Sequence, residues 1–550
     1  MRRLYVIAGC AGLVAAIGCS DTLAVTNGNN PDAGRALARP SDVEALIGSS
    51  LNTVWRAMNG QNDNVDNQMR VFSFENSSTL ANFGFGARIG IPRNPIDNSK
   101  GNPVLVGNFW DYAQDDKGAR SAALGLAQLN KPGFSLGNAA QDIGGRAFAF
   151  FVMGMGNANM ALVYDSGAVV NEFNGNANGI DIPYPSLLGR DSLMKLALIQ
   201  LDSAQANAQK MTTPLVATWI PGNALTGPQF VQVIRSYKAR FRAAVARTPT
   251  ERAAVDWTQV RDDALAGITA DLVITLDPSK SWDYNWYVQH FLFDAWTQQS
   301  PLFAGMADSV RPAGDPAGPG YDAWLAAGLN NRFAFLIRSA DQRFPPGNTR
   351  AAQQTASTVG KLQTPSRPNL YFRNRTSPDP PGLPYTVSQY DWFRLQDLYQ
   401  ANRIGNFPML QKAEVDLLAA EAYYRLGDLA NAAAKINITR VAKGNLPPLP
   451  LTMVATDQVP GGGACVPRVP DPATNFTSAT CGTLFEALKW EKRMELAFME
   501  YGAWYFDSRG WGDLAQGTPL EWPVPYQEMD TRNLKLYNSN TSSGVGTYGY

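Results

Sequence analysis

The chain has 550 residues, with 47 basic against 47 acidic side chains and a single histidine. A balanced charge with no basic block argues against nucleic acid as a partner, and 45% hydrophobic residues argue against disorder. The 49 glycines, 36 prolines and 11% aromatic residues point to a helical core carrying long, aromatic-rich loops.

At the start of the chain, Arg2 and Arg3 precede an uncharged apolar run from Leu4 to Ile17. Such a run is too short to span a bilayer comfortably and reads as an export signal. It stops at Ala16-Ile17-Gly18-Cys19, which resembles the lipobox of bacterial lipoproteins. The expectation is therefore a signal peptide over 1–18, lipidation of Cys19, a tether over 19–30 and one domain over 31–550. Ile7-Ala8-Gly9-Cys10 fits the same pattern less well, because few apolar residues precede it. With Cys10 removed and Cys19 lipidated, Cys465 and Cys481 remain as a pair in a compartment that permits disulfides. One histidine and no second cysteine pair make a zinc site a poor expectation, and neither metal nor cofactor is predicted.

The segment "RPSDVEALIGSSLNTVWRAMNG" predicts a helix, with Ser41 and Glu44 as a capping box after Pro40. Val43, Ile47, Val54 and Met58 recur along it at near-helical spacing. Residues 60–140 lack sustained periodicity and read as loops with short helices. From about Gly145 the helical pattern returns in four consecutive segments: "RAFAFFVMGMGNANMALVYD", "SLMKLALIQLDSAQANAQ", "QVIRSYKARFRAAVAR" and "DWTQVRDDALAGI".

In "AAEAYYRLGDLANAAAKI", Ala420, Tyr423, Gly427, Ala432 and Ile436 follow the small–Tyr–Gly–Ala–large pattern of a tetratricopeptide helix pair. Gly427 is suited to end the first helix in a left-handed conformation, and Asp428 to cap the second. Asp416 and Thr439 depart from the pattern, at positions that favour a large aromatic and an alanine. Residues 377–386 and 460–482 read as loops. The last helical segment is "TLFEALKWEKRMELAFMEYGAWYFDSRGWGD", where Glu491, Lys492, Arg493 and Glu495 are expected to pair along the helix surface. The fold class is thus all-α, with tetratricopeptide-like helix pairs and long loops.

Signals for catalysis are weak. A Ser-His-Asp or Cys-His device would have to use His290, which lies in the apolar run "WYVQHFLFDAW" and reads as a packed side chain. Asp115-Asp116 and Asp262-Asp263 read as surface charge. The glycine-rich "GFGARIG" and "PGGGAC" lack the strand–loop–helix setting of a phosphate loop. No enzyme is expected.

Several pieces together resemble the SusD/RagB family of outer-membrane nutrient-binding lipoproteins. The lipobox is followed by "LAVTNGNNPDAGRALARPSDVEALIGSSL", similar to that family's L-x-V-x-N-P-N-x-P entry and first helix. "IRSADQRFPPG" (337–347) resembles its Asp-x-Arg turn. "WEKRMELAFMEYGAWYFDSRGWGDL" followed by "PVPYQEMD" resembles its closing segments. The resemblance implies a lipid-anchored protein on the outer face of the outer membrane, lying over a SusC-type TonB-dependent barrel. It further implies capture of an oligomeric nutrient, commonly a glycan, for import. On that reading, aromatic rings on loops would cover sugar faces while polar neighbours meet the hydroxyls. Trp282, Tyr284, Trp286 and Tyr287 form the densest such stretch, and Trp110 with Tyr112 the next. The rival expectations are a repeat scaffold that binds only envelope proteins, and a peptide-import variant of the same role.

Overall fold

The computed structural model describes residues 37–60, 64–77, 88–102, 105–173, 186–284, 298–310, 320–356, 370–376 and 383–550. Cys19, the signal and tether segments, Trp286, Tyr287 and His290 lie outside the described residues. Among the described residues there are 17 α-helices, and the strands form four two-stranded antiparallel sheets. The mainly helical fold class therefore holds.

Helix α1 (Pro40–Asn59) buries Val43, Ile47, Leu51, Val54 and Trp55, as its periodicity predicts. Its start differs from expectation. Arg39 is the N-cap and makes no side-chain cap, while Ser41 donates to its neighbour Asp42 at 3.4 Å. Pro40 sets the first helical φ angle without an acceptor, so the helix begins too early for Ser41 to cap it.

A short helix, α2 (Val65–Phe72), precedes the largest departure from the sequence reading, the 25-residue helix α3 (Leu105–Leu129). Antiparallel to α1, it brings Trp110 against Arg56 and Gly118 against Val54. A Cβ on Gly118 would lie 2.6 Å from Val54 Cγ2, so glycine permits the close approach. Helix α4 (Ala139–Val163) lies on α3 as well, and a Cβ on Gly156 would fall 2.7 Å from the Asp115 carbonyl oxygen. Enclosed by both neighbours, α3 buries Tyr112, Leu126 and Leu129 together with Asp111 and Asp115. Its apolar and polar residues are mixed around the cylinder, which erases the period.

The four segments after Gly145 form α4, α5 (Arg190–Ala208), α6 (Gly227–Ala244) and, after the one-turn α7 (Pro249–Ala253), α8 (Trp257–Leu265). Helix α8 packs on α9 (Lys412–Arg425), the first half of the tetratricopeptide-like pair. Gly427 has φ +83° and Asp428 accepts the Asn431 N–H at 3.1 Å, as expected, before α10 (Leu429–Ala442). Asp416, where the repeat pattern favours an aromatic ring, instead joins the two helices by an ion pair with Lys435 at 2.7 Å.

The last helical segment is two helices, α11 (Leu484–Leu496) and α12 (Ala503–Trp511). Phe498 and Gly502 at positive φ break it. Residues 460–482, read as a loop, contain a small hairpin of β1 (Arg468–Pro470) and β2 (Ala479–Cys481). The expected Cys465–Cys481 disulfide is present at its base and packs on α9, α10 and α11 through Leu417, Ile436 and Leu488.

Candidate functional site

The two aromatic stretches singled out from sequence converge on the C-terminal half of α1. Trp110 donates its indole N–H to the Arg56 carbonyl at 2.8 Å, and the Arg56 guanidinium lies 5.6 Å from the ring centroid. From the other side, Trp282 packs against Trp55 at 5.8 Å, and Trp55 donates to the Asp283 carbonyl at 2.7 Å. Asn52 holds the same turn by donating to the Ser281 carbonyl at 2.9 Å. Helix α1 thus forms a common wall for both stretches.

The rings differ sharply in what they present. Trp110 is half-buried, so part of it meets solvent. Trp282, Tyr284 and Tyr112 are only 6%, 4% and 1% exposed. Tyr284 packs on Phe407 at 5.0 Å, and its hydroxyl donates to the Phe498 carbonyl. Tyr112 packs edge-on against Tyr164 at 5.0 Å, and its hydroxyl oxygen accepts the Ala168 N–H at 2.9 Å. These three rings fill the core, the usual fate of large side chains with one polar tip. The polar groups that do reach the surface beside Trp110 and Trp282 are Arg56, Asn59 and the Asp283–Arg403 ion pair at 3.1 Å. Asp283 sits between Trp282 and Tyr284 in the aromatic stretch, whereas Arg56, Asn59 and Arg403 carry no motif and are brought in by the packing of α1.

The motifs behind the family resemblance form a buried charge cluster. Arg343 is fully buried and donates to Asp341 at 2.7 Å, Glu491 at 2.9 Å and Glu495 at 3.0 Å. Trp490 donates to Asp341 at 2.9 Å, and Tyr371 to Glu495 at 2.9 Å. Beside it, Lys492 pairs with Asp507, while Arg493 and Lys489 both hold Asp513. The expectation of surface pairs along this helix is therefore wrong: Glu491, Lys492, Arg493 and Glu495 are at most 3% exposed and reach across the fold. Burial pushes the Asp513 carboxyl up, but the Lys489 and Arg493 charges outweigh it and hold it below the usual range. Arg252 makes a parallel link, donating to Glu421 at 2.6 Å and Asp507 at 3.0 Å, so α7, α9 and α12 share one ionic joint.

Asp115, read from sequence as surface charge, is 1% exposed and accepts from Asn159 at 3.1 Å. Asp116 is half-buried on Arg120, and Asp263 is buried among Arg235, Arg242 and Lys238; of the four, Asp262 alone is exposed. Asp111 accepts from the Tyr501 hydroxyl at 2.7 Å and the Val65 N–H at 3.0 Å. Burial pushes both Asp111 and Asp115 well above the ordinary carboxylate range. The adjacent internal cavity, lined by Trp55, Met155, Asn159 and Tyr501, measures about 30 Å³ and has room for water but not for a substrate. Among the described residues, no group of three or more His, Cys, Asp or Glu is arranged to hold a metal ion. No described helix is long and apolar enough to cross a membrane.

The fold and this motif cluster define a mainly helical protein that carries a tetratricopeptide-like pair and is stapled by buried ions. No family model and no curated protein matches the chain. Solved structures to which it is similar are of the SusD superfamily. One, from Bacteroides thetaiotaomicron, is 9% identical with a TM-score of 0.49, covering 92% of this chain and 100% of that one. A SusD-like carbohydrate-binding protein from Bacteroides fragilis is 14% identical with a TM-score of 0.47, covering 94% and 95%. A laminarin-binding SusD-like protein is 12% identical with a TM-score of 0.47, covering 91% and 99%.

Proposed function

We propose that this chain is a lipoprotein of the outer membrane, anchored through Cys19, that binds an oligosaccharide and delivers it to a SusC-type TonB-dependent transporter. It works by capture, without bond cleavage. The observation that carries the reading is the meeting of the resemblance motifs in space. The Asp341-x-Arg343 turn and the Glu491 and Glu495 helix lie about 150 residues apart in sequence, yet share one fully buried guanidinium. Motifs that interlock in this way support a family scaffold better than motifs that merely occur in order. The ligand surface would be the outer face of α1 and α3, with Trp110 as the ring and Arg56, Asn59, Asp283 and Arg403 as hydroxyl partners. Trp286 and Tyr287, separated from Tyr284 in the chain by Asn285 alone, remain part of this proposal.

A gentle-detergent pull-down of the native lipoprotein tests the transport role. A stoichiometric TonB-dependent barrel is the expected companion; recovery of the protein alone would refute delivery to such a barrel. The burial of Trp282, Tyr284 and Tyr112 favours a second reading, a repeat scaffold that binds only envelope proteins. Calorimetry against a panel of soluble polysaccharides separates the two. Binding that Trp110→Ala abolishes supports capture, and no binding across the panel supports the scaffold.

A further inference from the structure

The turn that separates α11 from α12 is fastened by side chains from α2, α3 and α6. Phe498 has φ +60°, a left-handed conformation that a bulky side chain resists. Its N–H donates to Glu75, and its carbonyl accepts the Tyr284 hydroxyl. The Gly502 N–H donates to Asp66 at 2.8 Å, and the Tyr501 hydroxyl to Asp111 at 2.7 Å. Between them, Glu500 accepts from Arg240 at 2.7 Å and from the Gln411 N–H at 3.3 Å.

The charges around this turn do not balance. Arg70 stands between Asp66 and Glu75, 2.8 Å from each, and Arg240 between Glu414 and Glu500. Each guanidinium thus faces two carboxylates, all of them buried. The other groups facing the turn do not make up the difference. Asp111 bonds the Tyr501 hydroxyl and the Val65 N–H, and Asp115 the Asn159 amide. Tyr237 lies 4.8 Å from the Arg240 guanidinium, and Lys492 is paired with Asp507 at 2.8 Å. Fully ionised, each triad would hold one net negative charge away from water; with one proton bound, each is neutral. Burial accordingly lifts Glu75 to about 7 and Glu500 to about 8, against the pull of Arg70 and Arg240. Internal cavities of about 30 and about 20 Å³ flank the turn, and Arg240 and Tyr501 line both. Each has room for a water molecule, so solvent has a place to enter.

We propose that the α11–α12 turn is a pH-operated joint, closed while each two-carboxylate triad holds a proton and opening to water as Glu75 and Glu500 ionise. Opening would slacken residues 281–284 as well, because Tyr284 is tied to the Phe498 carbonyl. A carboxyl lifted in the closed state favours closure fully below its open-state value, and that contribution is lost as pH rises through the lifted value. The joint therefore loosens between pH 4.5 and about 8. Tyr284 adjoins Asp283, a hydroxyl partner on the proposed ligand surface, so the joint would tune that surface. Only this last consequence rests on the glycan reading.

The test is amide hydrogen exchange of the whole protein without ligand, read by mass spectrometry as protection factors from pH 4.5 to pH 8. Protection over 497–502 is expected to fall more than about tenfold, since one pH unit inside a titration window is worth about that factor. At the upper end, 497–502 should be at least about tenfold less protected than α5, because a joint opens without unfolding the rest. Glu75→Gln with Glu500→Gln leaves each guanidinium one carboxylate and keeps an acceptor for the Phe498 and Gln411 N–H groups. Its protection over 497–502 should not change with pH, and each single variant should remove part of the response. Tyr284→Phe should uncouple 281–284 while 497–502 still responds. Protection over 497–502 that ignores pH, an equal fall in the double variant, or protection equal to that of α5 would each overturn the joint. A response of 281–284 that survives Tyr284→Phe would overturn its link to the ligand surface.

Discussion

Arg343→Met tests whether the buried charge cluster holds the fold. The native guanidinium is fully buried and is shared by Asp341, Glu491 and Glu495, each at most 1% exposed. Methionine fills similar volume but leaves three carboxylates without their common cation. Breaking one buried pair typically costs about 3–5 kcal/mol, and here several hydrogen bonds are lost together. Set against a typical total of about 5–15 kcal/mol, the loss should lower the urea midpoint severely or prevent folding. Arg343→Lys keeps the charge but not the planar fork, so its midpoint should lie between the two. The deficit should also depend on pH. Burial raises the Glu491 pKa above 4.5, and Arg343 is the largest opposing influence. Without Arg343 that pKa rises further. A carboxyl raised in the folded state contributes stability below its unfolded value and loses it as pH rises through the folded value. The gap between Arg343→Met and the native protein should therefore widen as pH rises above 4.5, the ordinary value for the carboxyl. Urea unfolding followed by far-ultraviolet circular dichroism measures both effects. An unfolding free energy within about 1 kcal/mol of the native protein's, or a gap that ignores pH, would refute the reasoning.

Four further outcomes are expected. Reducing the Cys465–Cys481 disulfide, or replacing both cysteines by serine, should cost about 3 kcal/mol by the loop-entropy estimate for its 16-residue separation, read as a lower thermal midpoint. Trp282→Ala should cost about 3–5 kcal/mol because its ring is spent on Trp55, whereas Trp110→Ala, half-exposed, should cost far less in the same melt. Gly118→Val should separate α1 from α3 and destabilise by about 1–3 kcal/mol in urea unfolding. Burial lifts Glu75 to about 7 and Glu500 to about 8, so native stability should fall as pH rises from 4.5 through those values. Glu421, held at about 2 by Arg252 against the upward push of burial, acts oppositely: its contribution is present above 4.5 and lost as pH falls toward 2.

How legible each part was depended on how many sides of an element are buried. Helices α1, α4, α5, α6 and α8, and the α9–α10 pair, could be read because apolar spacing or repeat residues marked them. Gly427 and Asp428 did in the structure what their chemistry suggests. Helix α3 escaped notice because it is clasped by two neighbours and buries Asp111 and Asp115 among its alanines. Charge misled for the same reason. A run such as Glu491-Lys492-Arg493 normally marks a solvated helix face, and only the tertiary arrangement of Arg343, Asp507 and Asp513 makes it an interior one. The resemblance motif held the clue, since an Asp-x-Arg turn together with a Glu-rich helix suggests a partner for each.

The aromatic residues show the converse limit. Sequence placed Trp110, Tyr112, Trp282 and Tyr284 in two dense clusters and could not tell a platform from a filler, because both uses select the same side chains. The structure separates them by polar tips. The Tyr112 hydroxyl meets the Ala168 N–H, the Tyr284 hydroxyl meets the Phe498 carbonyl, and both rings are enclosed. Trp110 also has its N–H satisfied, by the Arg56 carbonyl, but its ring stays half-open beside a guanidinium. A satisfied polar tip with an open face suits a ring that meets transient partners: the indole is fixed in place before anything binds, so little ordering entropy remains to oppose the contact. That makes Trp110, rather than the denser 282–284 stretch, the described residue on which the proposed capture would turn.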